Sequence, residues 1–447
     1  MTQFGADFKK KYYTYLDPAV NVVNHGSYGT TPSMVIDAQI ASVKKHESYP
    51  DEYEYIEGPR EYKRQAKLIA QYLGLNWENL ALVQNATTGI NVFFRSIPFD
   101  FENDIVVFPS TTYGACSNTV KFMNVTYGLK YKTIDLTFPL TTKEIVAKFE
   151  HYFKNLSCKG KVYCLFDCIS SMPGVVMPYI ELIKLCKKYN VVQVIDGAHA
   201  PGQVDLKFLD KLKPDFFTGN LPKACAIIYA QKKWHHLLQT QPISWTYNVN
   251  YDNIQSDESL LVERFSKVGT INYSVYESIE AAIKFRSEVC GGETNIRNYQ
   301  KTLSKQAVEA CSKVLAVNRN TTTDTYDHYE PVLLDNKQGT LTPVGMFCLS
   351  IPINTSKYSK VYNMLKKSPF DYLARIRSLL EEKSIAVYKN YAPLVFHGDV
   401  LYVRFSVQIF NEVSDFVKAT TINKTLLEDV FTREEERLSF ISNKSKL

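Results

Sequence analysis

Residues 191–230 read VVQVIDGAHAPGQVDLKFLDKLKPDFFTGNLPKACAIIYA, and this stretch decides the fold. It opens on an apolar run of strand length, 191–195, that stops at an acid, Asp196. A loop of small residues follows, Gly197-Ala198-His199-Ala200-Pro201-Gly202. After a short amphipathic segment come a second strand-like run at 216–218, a loop holding one lysine, Lys223, and a third run at 227–230. Short β-rich runs closed by turn residues predict buried parallel strands. Ligands of open α/β sheets bind beyond the carboxyl ends of such strands, and Asp196 stands at one of them. A carboxylate and a lysine on neighbouring strand-end loops suit pyridoxal phosphate, which needs a lysine for its aldehyde and an acid beside its ring nitrogen.

Outward from this stretch the chain keeps alternating strand, loop and helix. Residues 60–73 set Tyr62, Ala66, Ile69, Ala70 and Leu73 on one helical stripe, and Gly74 can end it. A short strand at 80–83 leads into Asn85-Ala86-Thr87-Thr88-Gly89, which opens a helix over 90–97. Free N–H groups and threonine hydroxyls at a helix start make an anion site, with a plain N-cap as the structural alternative. Strands are predicted at 105–108 and 162–167, with a crossover helix at 179–189. Further on, a helix at 276–290 ends at Gly291-Gly292, and polar loops at 318–343 surround one short strand. Strands follow at 346–353, 385–391 and 401–409, with helices near 357–367 and 371–383 and a charged, partly helical tail from Glu428. In the last strand the apolar residues are Leu401, Val403, Phe405, Val407 and Ile409. That alternation puts Arg404 on the polar face of a half-buried strand, where a surface salt bridge is its plainest role. The pair His235-His236 is expected on a solvated surface.

Composition narrows the function classes. At 447 residues, 45% hydrophobic and 22% charged, the chain has the make-up of a soluble protein with a large domain and a smaller one. A net charge of +6 is mild over this length, and no dense basic run precedes the tail, so no nucleic-acid partner is expected. Nine scattered cysteines without a C-x-x-C pair predict buried free thiols in a reducing compartment, with no zinc spacing and no metal site. The first residues, MTQFGADFKKKYYTYLD, contain no apolar signal core, and no run approaches the ~18 apolar residues of a membrane helix. A cytoplasmic location and no membrane partner are the expectations.

Several stretches in fixed order carry a resemblance. They are D-G-A-H-A-P-G-Q at 196–203, D-F-F-T-G-N at 215–220, Asn24-His25-Gly26-Ser27-Tyr28-Gly29, Q-N-A-T-T-G-I-N at 84–91, Val268-Gly269-Thr270-Ile271 and Cys290-Gly291-Gly292-Glu293. Together they resemble the class V branch of the fold-type I pyridoxal-phosphate enzymes. The likeness is to the group of isopenicillin N epimerase-like proteins, cysteine desulfhydrases and fungal hercynylcysteine sulfoxide lyases. The resemblance implies an α/β fold: a large domain (31–285) around a mostly parallel seven-stranded sheet, an N-terminal arm (1–30) and a smaller α+β C-terminal domain (286–447). It implies pyridoxal phosphate as cofactor, with its phosphate at Ala86 and Thr87, near Thr218 and Asn220. Tyr113 would stack on the ring, Asp196 would meet the ring nitrogen and His199 would donate to the phenolic oxygen. His25 would line the substrate side, and Arg404, in a segment similar to the family's R-I-S, would clamp the substrate carboxylate as a guanidinium fork. Thr270 would touch the phosphate of a partner subunit, implying a homodimer.

Two departures from the family pattern stand out. Cys168 replaces the histidine of its D-H-I-S-S segment. More seriously, relatives read H-K-W and several more residues after T-G-N, whereas Asn220-Leu221 here runs straight into Pro222-Lys223-Ala224-Cys225-Ala226. Two registers stay open: Lys223 is the cofactor-bearing lysine in a shortened loop, or that lysine is deleted and Lys223 matches a later basic residue. The first gives an enzyme that removes the α-proton of a small sulfur-bearing amino acid and expels sulfur from its β-carbon. The second gives a non-catalytic relative of the same fold, and an epimerase or aminotransferase is a third possibility. Persulfide transfer is rejected, because no cysteine lies beyond Cys348 to carry the sulfur.

Overall fold

Runs of Val, Ile, Leu and Phe without polar alternation can be buried on both faces only in the middle of a layered sheet. The computed structural model describes residues 3–221, 225–250, 252, 254, 255, 258–319 and 322–444, and in it these runs form most of a seven-stranded sheet, whose edge strand Lys130–Ile134 is polar and partly exposed. The strands are β1 (Leu80–Val83), β2 (Ile105–Pro109), β3 (Lys130–Ile134), β4 (Val162–Asp167), β5 (Val192–Asp196), β6 (Phe216–Leu221) and β7 (Cys225–Ala230). Their order is β1-β7-β6-β5-β4-β2-β3, and β7 alone runs against its neighbours. The mostly parallel α/β sheet implied by the resemblance is therefore present. Helices cover both faces, including Gly58–Leu73, whose stripe of Tyr62, Ala66, Ile69 and Ala70 is buried. That helix closes on Gly74 at φ 69, a left-handed cap that glycine adopts without strain.

A second sheet of three antiparallel strands, order β8-β10-β9, carries the C-terminal third: β8 (Met346–Ser350), β9 (Leu394–His397) and β10 (Val400–Ser406). Its core joins Phe347, Leu401, Val403 and Phe405 to Phe416, Leu427 and Phe431 of the helix Val413–Lys444. The N-terminal residues close against this sheet. Ser406 N–H donates to Val23 O at 2.8 Å, Gly26 N–H donates to the Ser406 hydroxyl at 3.0 Å, and Gly5 N–H donates to Ile409 O at 2.9 Å.

Several sequence expectations are corrected. Residues 385–391 form no strand: the helix Pro369–Glu382 widens into a π-turn, Lys383–Val387, and Lys389 turns at φ 46. Ile385 and Val387 are exposed, and the strand starts only at Leu394, past Pro393. The segment 276–290 breaks into Ser274–Glu277, Ile279–Lys284 and a π-turn, Phe285–Val289. Residues 322–343 show isolated bridges, Tyr326 to Asn354 and Leu333 to Leu349, in place of a strand. The tail from Glu428, expected to be helical only at first, stays helical to Lys444, held by Leu427, Val430 and Phe431. His235 is buried, its Nε2 2.9 Å from Ala230 O, and is no surface residue. Arg404 is not on a solvated face: the apolar side of β10 packs into the second core, and its polar side packs against the first domain.

Candidate active site

The site forms where β4, β5 and β6 end. Asp196, last residue of β5, is 3% exposed. Its Oδ1 accepts from Ala198 N–H at 2.9 Å, and its Oδ2 accepts from the Cys116 thiol at 3.1 Å. Gly197 makes the chain turn directly above the sheet: a Cβ there would lie 2.1 Å from Phe217 Cε2. Burial pushes the Asp196 carboxyl above the usual carboxylate range, against the pull of its two donors. Among the described residues no cation pairs with it.

The helix Ala86–Ser96 points its start at the same region. Asn85 caps it, its Oδ1 accepting from Thr88 N–H at 2.8 Å, while Ala86 N–H donates to Asn220 Oδ1 at 2.8 Å. Asn220 therefore ties β6 to the helix start where Ala86 and Thr87 lie. Thr218 does something else. Its hydroxyl donates to Ile227 O at 3.1 Å inside the sheet, and a Cβ on Gly89 would meet that oxygen at 2.2 Å. Thr218 sets how closely the first turn of the helix sits on the sheet, and its hydroxyl proton is used by Ile227 O.

β6 and β7 pair from Phe216–Ala230 to Leu221–Cys225, so residues 222–224 alone connect them. Lys223 falls in this connection and lies outside the described residues. Both of its described flanks, Leu221 and Cys225, line a cavity of about 600 Å³ that His25, His199, Asn220 and Ser406 also line. The turn at Asn24 to Gly29 brings His25 there, with Nδ1 accepting from Thr30 N–H at 3.3 Å. Burial lowers the His25 imidazole to about 4 with help from Arg286, and burial lowers His199 to about 3 with help from Arg404. Both rings are neutral at neutral pH.

Arg404 is 2% exposed and reaches across from β10. Nη1 donates to Ser171 O at 2.8 Å and Ser171 Oγ at 3.1 Å, and Nη2 donates to Asn24 Oδ1 at 2.9 Å and Ser27 Oγ at 2.8 Å. Its Nε is buried without a partner, and none of its acceptors is a carboxylate. Burial pulls its pKa down. Tyr113 stands half exposed at the start of the helix Gly114–Tyr127, and Thr270 is exposed on the loop before Ser274. The structure thus gathers His25, His199 and Asn220 at the cavity, with Arg404 behind the Asn24–Ser27 turn and Asp196 beneath. It leaves Thr218 in the sheet and Thr270 on the outside. Asp167 and Cys116 flank Asp196 without any local sequence signal for it: the register of β4 on β5 brings Asp167 there, and the packing of the helix Gly114–Tyr127 brings Cys116.

The donor set fits pyridoxal phosphate. Asp196 is a buried acid lacking a cation, Arg404 is a buried guanidinium lacking a carboxylate, and Asn85, the cap of a helix start, lines the cavity. A ring cation, a substrate carboxylate and a phosphate are the charges that would balance them.

Comparison with known proteins agrees with this geometry. A family model described as aminotransferase class-V matches residues 55–330. The chain is 27% identical to an L-cysteine desulfhydrase-like protein, lolT1, of Epichloe uncinata, over 94% of this chain and 95% of that protein. It is 29% identical to the hercynylcysteine sulfoxide lyase of Schizosaccharomyces pombe, covering 70% and 80% of the two chains. In structure it resembles the cystine C–S lyase C-DES in complex with its product cysteine persulfide, at TM-score 0.64 and 14% identity, covering 92% and 97%. That last likeness shows a shared fold.

Proposed function

The chain belongs to the aminotransferase class-V family, and from that premise we propose that it is a pyridoxal-phosphate enzyme that cleaves the carbon–sulfur bond of a small amino acid by β-elimination. The observation that carries the reading is Arg404, a buried guanidinium whose four hydrogen bonds all go to neutral acceptors and whose Nε has no partner. The desulfhydrase-like and sulfoxide-lyase names of its relatives favour sulfur as the leaving group, and they lend the non-catalytic reading no support.

Bound pyridoxal phosphate supplies an electron sink for a carbanion at the α-carbon. The chain's own residues do the rest. Arg404 fixes the substrate carboxylate and so orients the α-proton. Asp196 holds positive charge at the ring nitrogen. Neutral His199 offers an N–H or a lone pair without adding charge. Ala86, Thr87 and Asn220 hold the phosphate end, and we assign the proton transfer at the α-carbon to Lys223. The test is borohydride reduction of the yellow protein followed by peptide mapping, with product analysis on L-cysteine and S-substituted cysteines. A reduced adduct on Lys223, with pyruvate and ammonia as products, is the expected result. Lys223→Ala should lower turnover by about 10²–10⁴-fold. Full activity and unchanged absorbance in that variant would remove Lys223 from the mechanism.

We also propose a homodimer. Tyr55, Ile56, Trp245 and Tyr247 are exposed apolar side chains, and Thr270 is free to reach a second copy. Nine free thiols accord with a cytoplasmic location.

A further inference from the structure

Asp196 does not stand alone. Asp167, the last residue of β4, is its register partner on the neighbouring parallel strand. Register partners in a parallel pair point to the same face, and the strands are about 4.8 Å apart. Asp167 is 2% exposed, and its Oδ2 is buried with no hydrogen-bond partner. The groups facing the pair are the Cys116 thiol of the helix Gly114–Tyr127 and the Cys168 thiol, next in the chain. Both thiols are held neutral by burial and by the two acids. No lysine, arginine or histidine forms an ion pair with either carboxyl among the described residues.

Two adjacent buried carboxyls without a cation cannot both ionise, so they titrate as one unit. The hydrogen bonds decide where the proton rests. Asp196 receives two donors, Ala198 N–H and Cys116 S–H, which favour its anion. Asp167 has an oxygen that accepts nothing, which favours the acid. We propose that Asp167 is a positioning residue for Asp196: a carboxylic acid that keeps its proton at neutral pH, so that the pair presents one negative charge, on Asp196, to a ring cation. Burial and then the neighbouring Asp196 charge push the Asp167 carboxyl upward, against a smaller downward pull from its own backbone N–H. The inference depends on the proposed cofactor only for the identity of the cation.

Infrared spectroscopy of the purified protein tests it at pH 7. The expected signal is the carbonyl stretch of a protonated carboxylic acid, shifted in D₂O, present in the wild type and in D196N and lost in D167N. Absence of the band from the wild type, or its survival in D167N and loss in D196N, would overturn the proposal. If D167N does not fold, the wild-type and D196N spectra still decide. This arm needs no activity, so its failure is distinct from failure of the lyase assignment. A second arm titrates pyridoxal phosphate into D167N. An amide replacing a neutral acid should leave the dissociation constant within about threefold, and a loss beyond tenfold would mean that Asp167 acts as an anion.

Discussion

Arg404 shows how little the alternation of a strand says about the setting of its polar residues. The alternation of β10 in the sequence says only which neighbours are apolar, and a surface ion pair fits that pattern equally well. What the alternation lacks is the other domain, which covers the polar face and leaves the guanidinium among Ser171, Asn24 and Ser27. Arg404→Lys keeps the charge but loses the fork. Charge-assisted hydrogen bonds are worth about 1.5–3 kcal/mol, so KM for the amino acid should rise roughly 10- to 100-fold with a smaller change in kcat. Steady-state kinetics on the folded variant checks this. His199 makes a prediction about pH. Its imidazole is held at about 3 against an ordinary 6.5. In the window between these values the unfolded chain binds a proton that the folded chain refuses, so this group withdraws stability as the pH falls. Urea unfolding from pH 4 to 7 should show a shallower decline for His199→Gln than for the wild type; parallel curves would mean that the ring titrates normally. Lys223 could be named from sequence, but its role could not, since only its sequence neighbours were available to set the register.

At the scale of elements, the core strands and the helix behind Asn85 were readable because burial on both faces leaves a continuous apolar run. The strand expected at 385–391 failed for the opposite reason. Ile385, Val387 and Tyr391 have the right propensity, but a helix widening into a π-turn consumes the first two and exposes them. Propensity without a partner strand does not make a sheet. The contact between the helix Ala86–Ser96 and β6 is a second feature invisible in the pattern. It rests on Gly89, where an added Cβ would sit 2.2 Å from Thr218 Oγ1 and 2.7 Å from Thr218 Cβ. Gly89→Ala should cost about 1–3 kcal/mol by overpacking. It should also weaken cofactor binding, because the Ala86–Asn220 bond moves with the helix. Gly114→Ala, with nothing within 4 Å of the new Cβ, is the matched control. Denaturant midpoints and cofactor titrations of the two variants check both halves of the prediction.

For the whole molecule, composition set the class and the scattered motifs set the fold, while the union of the chain's two ends could not be foreseen. At that scale the prediction is association. Sedimentation should find a species of twice the 51.2 kDa chain mass. Trp245→Glu and Tyr55→Glu should shift it toward the single chain while leaving the sheets intact by circular dichroism. The union of the ends has its own consequence, for how the molecule is made. The His25 turn is fastened to Ser406, 380 residues later. At roughly 5–20 residues per second on the ribosome, that turn waits on the order of 20–80 s before its anchor is synthesised. Until then a nascent chain can complete its large sheet but not the Arg404 side of its pocket. Messages broken between codons 231 and 400 therefore encode every strand of the large sheet but neither Arg404 nor the Ser406 anchor, and their products should lack activity.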